Sequence, residues 1–230
     1  MKAIIKFILS FLFLLLVSQS IKAESKCSKT CDLALASFFL GRGINLTYIS
    51  KIMQSKVVTK ALDIFSYNTD TIPSRSSVLS NTRVNVPFPC DCINDAFLGH
   101  TFLYELQPRD TYASIAKLNY SNLTNQEWMK KVNVYPLRDI PEFVKVNVTV
   151  NCSCGNREVS KDYGLFITYP LRSEDTLESI AKDTKVKAEL LQRYNPGVNF
   201  SQGSGLVFIP GKGSIFNLMS LFGLVFIVEI

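Results

Sequence analysis

The sequence reads Asp110-Thr-Tyr-Ala-Ser-Ile-Ala116 and, 65 positions later, Asp175-Thr-Leu-Glu-Ser-Ile-Ala181, with five of the seven residues identical. Each copy follows a run of alternating apolar residues, 101–107 and 165–171, which predicts a strand. The Asp of each copy stands where an N-cap is expected, and the following Ile and Ala fall on one helical face. The chain is therefore predicted to repeat a strand-helix unit.

A second helix and a second strand complete each predicted unit. In the two clear copies they fall at 126–132 and 145–150, and at 187–194 and 206–209. An earlier stretch fits the same order more loosely, with a strand at 33–40, helices at 46–53 and 61–67, and a strand at 83–86. The predicted fold class is α+β, built from three strand-helix-helix-strand (βααβ) units.

An asparagine follows the second helix of each unit, at Asn68, Asn133 and Asn195. Asparagine tolerates the left-handed backbone conformation that commonly ends a helix, and we expect these three residues to end their helices in that way. Each unit is too short to hold a large core alone, so we expect covalent cross-links between units.

Six cysteines supply the candidate cross-links: Cys27 and Cys31, then Cys90 and Cys92, then Cys152 and Cys154. An even number of cysteines in a secreted chain predicts a disulfide framework. Six cysteines permit 15 pairings, and their spacing alone does not choose among them. The chain has one histidine, and Cys-x-Cys is not the spacing of a zinc site, so we expect neither a metal nor another cofactor.

The two ends of the chain carry targeting signals. Residues 1–23 combine Lys2 and Lys6 with an apolar run and a small residue at Ala23, which predicts a signal peptide and the secretory pathway. Removing residues 1–23 also removes Lys2, Lys6 and Lys22 and lowers the formal charge from +6 to +3. The remaining basic residues are dispersed, so no nucleic-acid partner is expected. The apolar tail 211–230 fits a truncated or alternatively spliced receptor best, a weak membrane anchor next, and a lipid-anchor signal least.

Sequons for N-glycosylation are frequent, which agrees with secretion and predicts surface positions for their asparagines. The six candidates are Asn45, Asn119, Asn122, Asn147, Asn151 and Asn199. The single tryptophan, Trp128, is expected to be half-buried against the strands, and a role as a sugar platform is the lesser alternative.

Long segments of this chain resemble the extracellular region of plant LysM receptor-like kinases, a family that includes chitin receptors and legume Nod-factor receptors. The segments are Cys31-Asp-Leu-Ala-Leu-Ala-Ser37, Val86-Pro-Phe-Pro-Cys-Asp-Cys92, Phe97-Leu-Gly-His-Thr-Phe102, Asn151-Cys-Ser-Cys-Gly155, Gly164-Leu-Phe-Ile-Thr-Tyr-Pro-Leu-Arg172 and Leu191-Gln-Arg-Tyr-Asn-Pro-Gly-Val-Asn-Phe200. Two further segments, Leu46-Thr-Tyr-Ile-Ser-Lys-Ile-Met53 and Asp91-Cys-Ile-Asn94, resemble the Nod-factor branch.

The resemblance implies a domain organisation and a disulfide pairing. It implies three LysM modules, at 27–90, 97–150 and 164–210, packed together and cross-linked. The implied disulfides are Cys27–Cys92, Cys31–Cys154 and Cys90–Cys152.

The resemblance also implies a ligand, an N-acetylglucosamine oligomer lying between two loops of the second module. The implied ligand-binding residues are Pro108, Arg109, Asp110, Thr111, Tyr112, Ala113 and Ser114 on the first loop, and Pro136, Leu137, Arg138, Asp139, Ile140, Pro141 and Glu142 on the second. Among them, Leu137 and Ile140 are expected to cover the apolar faces of the sugar, and Tyr112 either joins them or enters the core. Arg109 and Ala113 stand where the chitin receptors of the family resemble one another in having carboxylates, which leaves both chitooligosaccharides and lipochitooligosaccharides (Nod factors) as candidate ligands.

Three functions are weighed against one another. The favoured one is a receptor ectodomain in plant immune or symbiotic signalling, at the extracellular face of the plasma membrane or secreted, with a kinase-bearing LysM co-receptor as a possible partner. The alternative is a secreted decoy that lacks a kinase and sequesters chitin oligomers. A glycan hydrolase accessory module comes last, because a hydrolase needs a carboxylate pair or a nucleophile and base on a further domain, so no enzyme is expected.

Overall fold

The computed structural model describes residues 27, 30–41, 43–69, 71–72, 80–137, 140–155 and 163–211. The predicted signal peptide at 1–23 and all of the predicted apolar tail after residue 211 lie outside the described residues. In the described part of the chain, no helix has both the length and the apolar character needed to cross a membrane.

The order strand-helix-helix-strand recurs three times along the described chain. The first unit has β1 (Cys31–Phe39), α1 (Leu46–Ile52), α2 (Ala61–Phe65) and β2 (Arg83–Ile93). The second has β3 (Phe97–Glu105), α3 (Tyr112–Ser114) continued by a π-helical segment (Ile115–Asn119), α4 (Gln126–Val132) and β4 (Lys145–Asn151). The third has β5 (Leu165–Pro170), α5 (Leu177–Thr184), α6 (Ala188–Tyr194) and β6 (Leu206–Gly211).

One mixed sheet joins the three units in the strand order β4-β3-β2-β1-β5-β6. Within each unit the two strands are antiparallel neighbours, as in Ala36 opposite Val86. Between units, β2 and β3 pair antiparallel from Asp91 opposite Gly99, and β1 and β5 pair parallel at Leu35 opposite Ile167. The fold is therefore α+β in class, as predicted, and the first unit lies at the centre of the sheet.

Three disulfides hold this sheet together: Cys27–Cys92, Cys31–Cys154 and Cys90–Cys152. They are the pairs that the resemblance implies. The Cys31–Cys154 bridge joins the start of β1 to the segment before β5 and closes a sequence separation of 123 residues. Since cross-links restrict the unfolded chain by an amount that grows with loop length, each bridge stabilises the fold by roughly 2–4 kcal/mol in the usual estimate.

The apolar core is divided in two. The first cluster is shared by the first and second units and contains Phe38, Phe88, Phe102 and Tyr120 among its buried residues. The second belongs to the third unit and is built around Leu171, Leu191 and other buried side chains. The third unit therefore keeps its own small core and is attached to the rest by strand pairing, a disulfide and polar contacts.

Those polar contacts centre on Arg83 of β2. Its guanidinium donates to the carbonyl oxygen of Pro170 at 2.9 Å and to the carboxylate of Asp175 at 3.2 Å. It also stacks 3.8 Å from the ring centroid of Tyr169. Burial lowers the pKa of Arg83, although the electrostatic interactions with Tyr169 and Asp175 act to raise it. The first and third units are thus joined by a half-buried ion pair with a stacked aromatic ring.

The prediction that Asp110 and Asp175 are N-caps is wrong. The caps are the next residues, Thr111 and Thr176, whose hydroxyls accept from the backbone N–H three positions later. Asp110 and Asp175 instead close the preceding turn by accepting the N–H groups of Gln107 and Arg172, both at 2.8 Å. The threonine accepts a free N–H of the first helical turn, and the aspartate accepts an N–H of the preceding turn. Both residues of the repeated Asp-Thr pair therefore have a structural role.

The expectation of left-handed Asn68, Asn133 and Asn195 is also wrong. None of them has a positive φ; Asn133 and Asn195 have φ of −127° and −120°. Their side-chain amides reach across to the closing strand of the same unit. The positions of the three asparagines were identified correctly from the sequence, but their role lies in tertiary hydrogen bonding.

Candidate functional site

The two loops predicted to form a ligand site come together at one end of the second unit. A groove of about 390 Å³ separates them. Leu106 and Gln107 line the groove. Six of the predicted residues line it as well: Arg109, Asp110, Thr111, Leu137, Ile140 and Glu142. Arg138 and Asp139 lie outside the described residues. Pro108, Ala113, Pro136 and Pro141 are exposed on the same loops without lining the groove.

The first loop is held from below by Asp110. One carboxylate oxygen accepts both the N–H of Gln107 and the hydroxyl of Tyr104, each at 2.8 Å. The amide of Asn119 donates to the same Tyr104 oxygen. Burial and the bond to Asp110 raise the pKa of Tyr104, so this phenol stays a neutral donor. Asp110 therefore positions the turn that carries Arg109, whose φ of 71° is left-handed.

Thr111 and Ser114 form reciprocal hydrogen bonds in which the side chain of each residue accepts from the backbone of the other. The Thr111 hydroxyl accepts from the Ser114 N–H at 3.0 Å, and the Ser114 hydroxyl accepts from the Thr111 N–H at 2.8 Å. This reciprocal cap starts α3. Thr111 still presents its exposed flank to the groove, whereas the hydroxyls are committed to the helix.

Tyr112 does not line the groove and takes the second of the two positions open to it, the core. Only 1% of its surface is exposed, because it enters the shared core from the first turn of α3. Its hydroxyl donates to the carbonyl oxygen of Tyr135 at 3.3 Å, and burial raises its pKa. Tyr112 therefore ties the first loop to the base of the second, which fixes the width of the groove.

The second loop supplies the apolar wall. Leu137 is 37% exposed, and Ile140 is half-buried against the shared core, so each keeps part of its side chain free for a ligand. Phe143 follows at the end of the loop with a left-handed φ of 61° and an exposed ring. A bulky residue in this conformation is uncommon and marks a constrained position. Its N–H donates to the carbonyl of Leu106 at 3.0 Å, which holds the two loops in register.

Comparison with known proteins identifies the fold. The LysM domain family matches residues 167–210. A crystal structure of the LYK3 ectodomain superposes with a TM-score of 0.78 and 53% identity, over 81% of this chain and 92% of that one. A second, the ectodomain of a receptor like kinase, gives 0.77 and 46%, over 80% and 94%. The chain belongs to the family of LysM receptor-like kinase ectodomains.

Curated relatives agree with this assignment. LysM domain receptor-like kinase 3 of Medicago truncatula is 51% identical over 88% of this chain and 34% of its own length. Chitin elicitor receptor kinase 1 of Arabidopsis thaliana is 46% identical over 86% of this chain and 33% of its own length. This LysM ectodomain therefore spans about a third of the length of the curated relatives it matches.

The groove of this LysM ectodomain has both apolar and charged lining. Its charged groups among the described residues are Arg109, Asp110 and Glu142, and Asp110 accepts hydrogen bonds from Gln107 and Tyr104. Among the described residues, the one grouping of possible metal ligands is Cys31, Cys90 and Cys154, and all three sulfurs are in disulfides. A narrow groove with one apolar wall and polar loop edges suits an uncharged, amphipathic ligand.

Sequence reasoning missed Leu106, Gln107 and Phe143 as parts of this site. Leu106 and Gln107 close the alternating run at 101–107, and the sequence offers no sign that the strand ends two residues earlier, at Glu105. Phe143 gives no local sign of its left-handed backbone, because no glycine or asparagine marks the position. The one available signal was proximity to the loops already identified.

Proposed function

We propose that this ectodomain binds N-acetylglucosamine oligosaccharides outside the cell, in the groove between 106–111 and 137–142. The observation that carries the proposal is that two loops separated by more than twenty residues of intervening sequence meet around one groove. We also propose that the three strand-helix-helix-strand units are three LysM modules, at 27–90, 97–150 and 164–210. The second module then supplies the ligand site, and the first and third hold it rigid.

The groove offers what a chain of N-acetylglucosamine requires. Each sugar presents an apolar ring face and an acetamide with one N–H and one C=O group. Leu137 and Ile140 provide an apolar surface for the ring and the acetamide methyl group, and the adjacent loop backbones provide polar partners. The name of the Arabidopsis relative, chitin elicitor receptor kinase 1, supports the same ligand class.

Arg109 bears on which member of this class is bound. It lines the groove and its side chain is exposed, so it presents a positive charge and five donors where an acceptor would suit the sugar amide. We therefore include lipochitooligosaccharides with unmodified chitin oligomers as ligands. We further propose a role in plant immune or symbiotic signalling at the extracellular face of the plasma membrane, with a kinase-bearing LysM co-receptor as partner.

The test is binding of the purified, oxidised protein to chitin oligomers and to a lipochitooligosaccharide, measured by calorimetry. Ile140→Asp places a charge on the apolar wall and is expected to weaken binding of both. The matched control is Val134→Asp, because Val134 is 92% exposed and does not line the groove. Equal affinity in the Ile140 variant and the control would overturn the groove as the ligand site. Unchanged circular dichroism in both variants guards against a folding defect.

A further inference from the structure

A second cleft lies between the second and third units, away from the groove. It has a volume of about 390 Å³ and is bounded by the turn at 122–125 on one side and the loop at 203–206 on the other. Trp128 lines it, half-buried, with its ring held edge-on by Phe97 at a centroid distance of 4.8 Å. The proposed function makes no use of this cleft, although it contains the one tryptophan of the chain.

Two sequon asparagines line the same cleft, Asn122 and Asn151. Asn122 is exposed, and its left-handed φ of 61° belongs to the turn that follows the π-helical segment. Its N–H donates to the carbonyl of Ala116 at 2.8 Å, which fixes the turn at the edge of the cleft. No hydrogen bond of its side chain occurs among the described residues, so its amide nitrogen is available for attachment.

Two of the neighbouring sequons differ in this respect, whereas the side chain of Asn151, like that of Asn122, has no hydrogen bond among the described residues. The amide nitrogen of Asn119 donates to the hydroxyl of Tyr104, beneath the groove. The amide nitrogen of Asn147 donates to the carbonyl of Val132 at 3.1 Å. An N-linked sugar replaces one of the two hydrogens on this nitrogen, so a glycan at either position would leave a single N–H to keep the bond of the fold and would have to fit beside it. Between the adjacent candidates Asn119 and Asn122, the structure favours Asn122.

Thr124 provides an independent observation. It is 6% exposed, and its hydroxyl has no hydrogen-bond partner among the described residues. A buried hydroxyl left unpaired costs about 1–3 kcal/mol, and valine would fill the same space without that cost. The folded structure therefore gives no reason for a threonine here. Glycosylation does, because Asn122-Leu-Thr124 is a sequon only with a hydroxyl at position 124.

We propose that Asn122 carries an N-linked glycan and that its first N-acetylglucosamine lies in this cleft against Trp128. In the attachment, the Asn122 amide nitrogen bonds to the anomeric carbon of a lipid-diphosphate-linked oligosaccharide. The bond from that carbon to the diphosphate oxygen breaks, the amide gives up one proton, and the lipid diphosphate leaves. The attached sugar then covers the indole and bridges the second and third units.

The experiment uses the full chain, secreted from a eukaryotic host that attaches high-mannose glycans. Peptide mass spectrometry measures occupancy at each sequon, and acrylamide quenching of fluorescence measures the accessibility of Trp128. Treatment with endoglycosidase H trims each glycan to its first sugar. Asn122→Gln removes the attachment point, and Asn199→Gln is the matched control, because Asn199 is an exposed sequon that does not line the cleft.

We expect Asn122 to be occupied and Trp128 to be protected in the wild type, in the trimmed protein and in Asn199→Gln. Protection is expected to be lost in Asn122→Gln. An unmodified Asn122 overturns the proposal, as does equal quenching in the wild type and Asn122→Gln. Loss of protection on trimming places the contact in the outer sugars and also overturns it. If Asn122 is unmodified and free chitin oligomers protect Trp128, the cleft is a site for a free saccharide instead.

Thr124→Val provides a second measurement that does not depend on fluorescence. In the glycosylating host it is expected to abolish occupancy at Asn122, whereas Thr124→Ser retains it. In protein made without glycosylation, Thr124→Val is expected to unfold at the same or a higher temperature, because a buried unpaired hydroxyl has been replaced by a methyl group. A large loss of stability there would mean that the threonine serves the fold, which contradicts the argument.

Discussion

The side chain of Asn195 pairs with the backbone of Phe208 as a neighbouring strand would. Its carbonyl oxygen accepts the N–H of Phe208 at 2.8 Å, and its amide donates to the carbonyl of Phe208 at 2.9 Å. A second bond from the amide, to the carbonyl of Leu191 at 2.9 Å, satisfies the end of α6. One buried side chain thus ends a helix and completes the outer edge of β6.

The same three bonds recur in the other units. Asn68 pairs with Asn85 and with the carbonyl of Ile64, at 2.7 to 2.8 Å. Asn133 pairs with Asn147 and with the carbonyl of Met129, all at 2.8 Å. The repeat is therefore conserved within this chain at the level of hydrogen bonding, even where the first unit shares little sequence with the others.

Replacing Asn195 by alanine is expected to destabilise the third unit by about 3 kcal/mol, because the partly buried N–H and carbonyl of Phe208 lose their partner and the carbonyl of Leu191 keeps only the backbone N–H of residue 195. The measurement is the free energy of unfolding in urea, with hydrogen exchange of the Phe208 amide as the local reading. Asn199→Ala serves as the control, since Asn199 is exposed and its side chain accepts, among the described residues, a single bond from the N–H of Ser201. Slow exchange of the Phe208 amide in Asn195→Ala would contradict the assignment.

These asparagines show which features of the fold can be predicted from the sequence and which cannot. Periodicity located the helices and strands, because each element buries one face of its own. The hydrogen bonds of Asn195 could not be predicted, since its partner Phe208 lies on a strand whose position relative to α6 depends on how the whole unit packs. The predicted strand at 83–86 begins where β2 begins, but its predicted end is too early for a related reason. Pro87 lacks an N–H and predicts a strand end, yet β2 continues because at that point it pairs only with β1.

The candidate groove was predictable only in outline. The resemblance located both loops, and six of their residues line the groove. The sequence left Tyr112 open between the groove and the core, because a tyrosine at the first helical position can enter either. Which of the two it does depends on the packing of α3 against β3 and α4, and such packing is a property of the assembled unit.

Arg83→Met is expected to destabilise the protein by about 2 kcal/mol, because it leaves the Asp175 carboxylate half-paired in a nearly buried position. Glu174→Gln is the matched control. It breaks the Arg172–Glu174 ion pair, which is exposed, and is expected to cost less than about 0.5 kcal/mol. Both values come from thermal unfolding of the oxidised proteins. Equal effects would show that the Arg83 contacts add nothing beyond a surface ion pair.

The stability contributed by Asp63 is expected to vanish in acid. Burial raises the pKa of this carboxyl, but the bonds from the Thr59 N–H and hydroxyl and from the Lys60 N–H outweigh burial and hold it below 3.8. A lowered pKa in the folded state means that the contribution is complete above the unfolded value and is lost as pH falls through the folded one. The wild type should exceed Asp63→Asn in stability near neutral pH. Unfolding curves recorded at decreasing pH should converge below pH about 4, and a constant difference would contradict this origin.

Arg109→Glu is expected to tighten binding of unmodified chitin oligomers by about tenfold, equivalent to about 1.4 kcal/mol. The substitution places an acceptor beside the sugar amide at a position that lines the groove, and the left-handed turn at 109 is held by Asp110 whichever side chain it carries. The control is Lys117→Glu, which makes the same change in net charge at an exposed site that does not line the groove.

Calorimetry with a chitin oligomer and with a lipochitooligosaccharide separates two outcomes for Arg109→Glu. A gain confined to the unmodified oligomer means that Arg109 selects between the two ligands at the sugar itself. An equal gain for both means that the loss of a positive charge improves the shared sugar contacts, and selection must then arise elsewhere on the ectodomain. Unchanged affinity for both would contradict a role for position 109 in the groove, because a side chain in contact with the sugar amide cannot change from donor to acceptor without a measurable change in affinity.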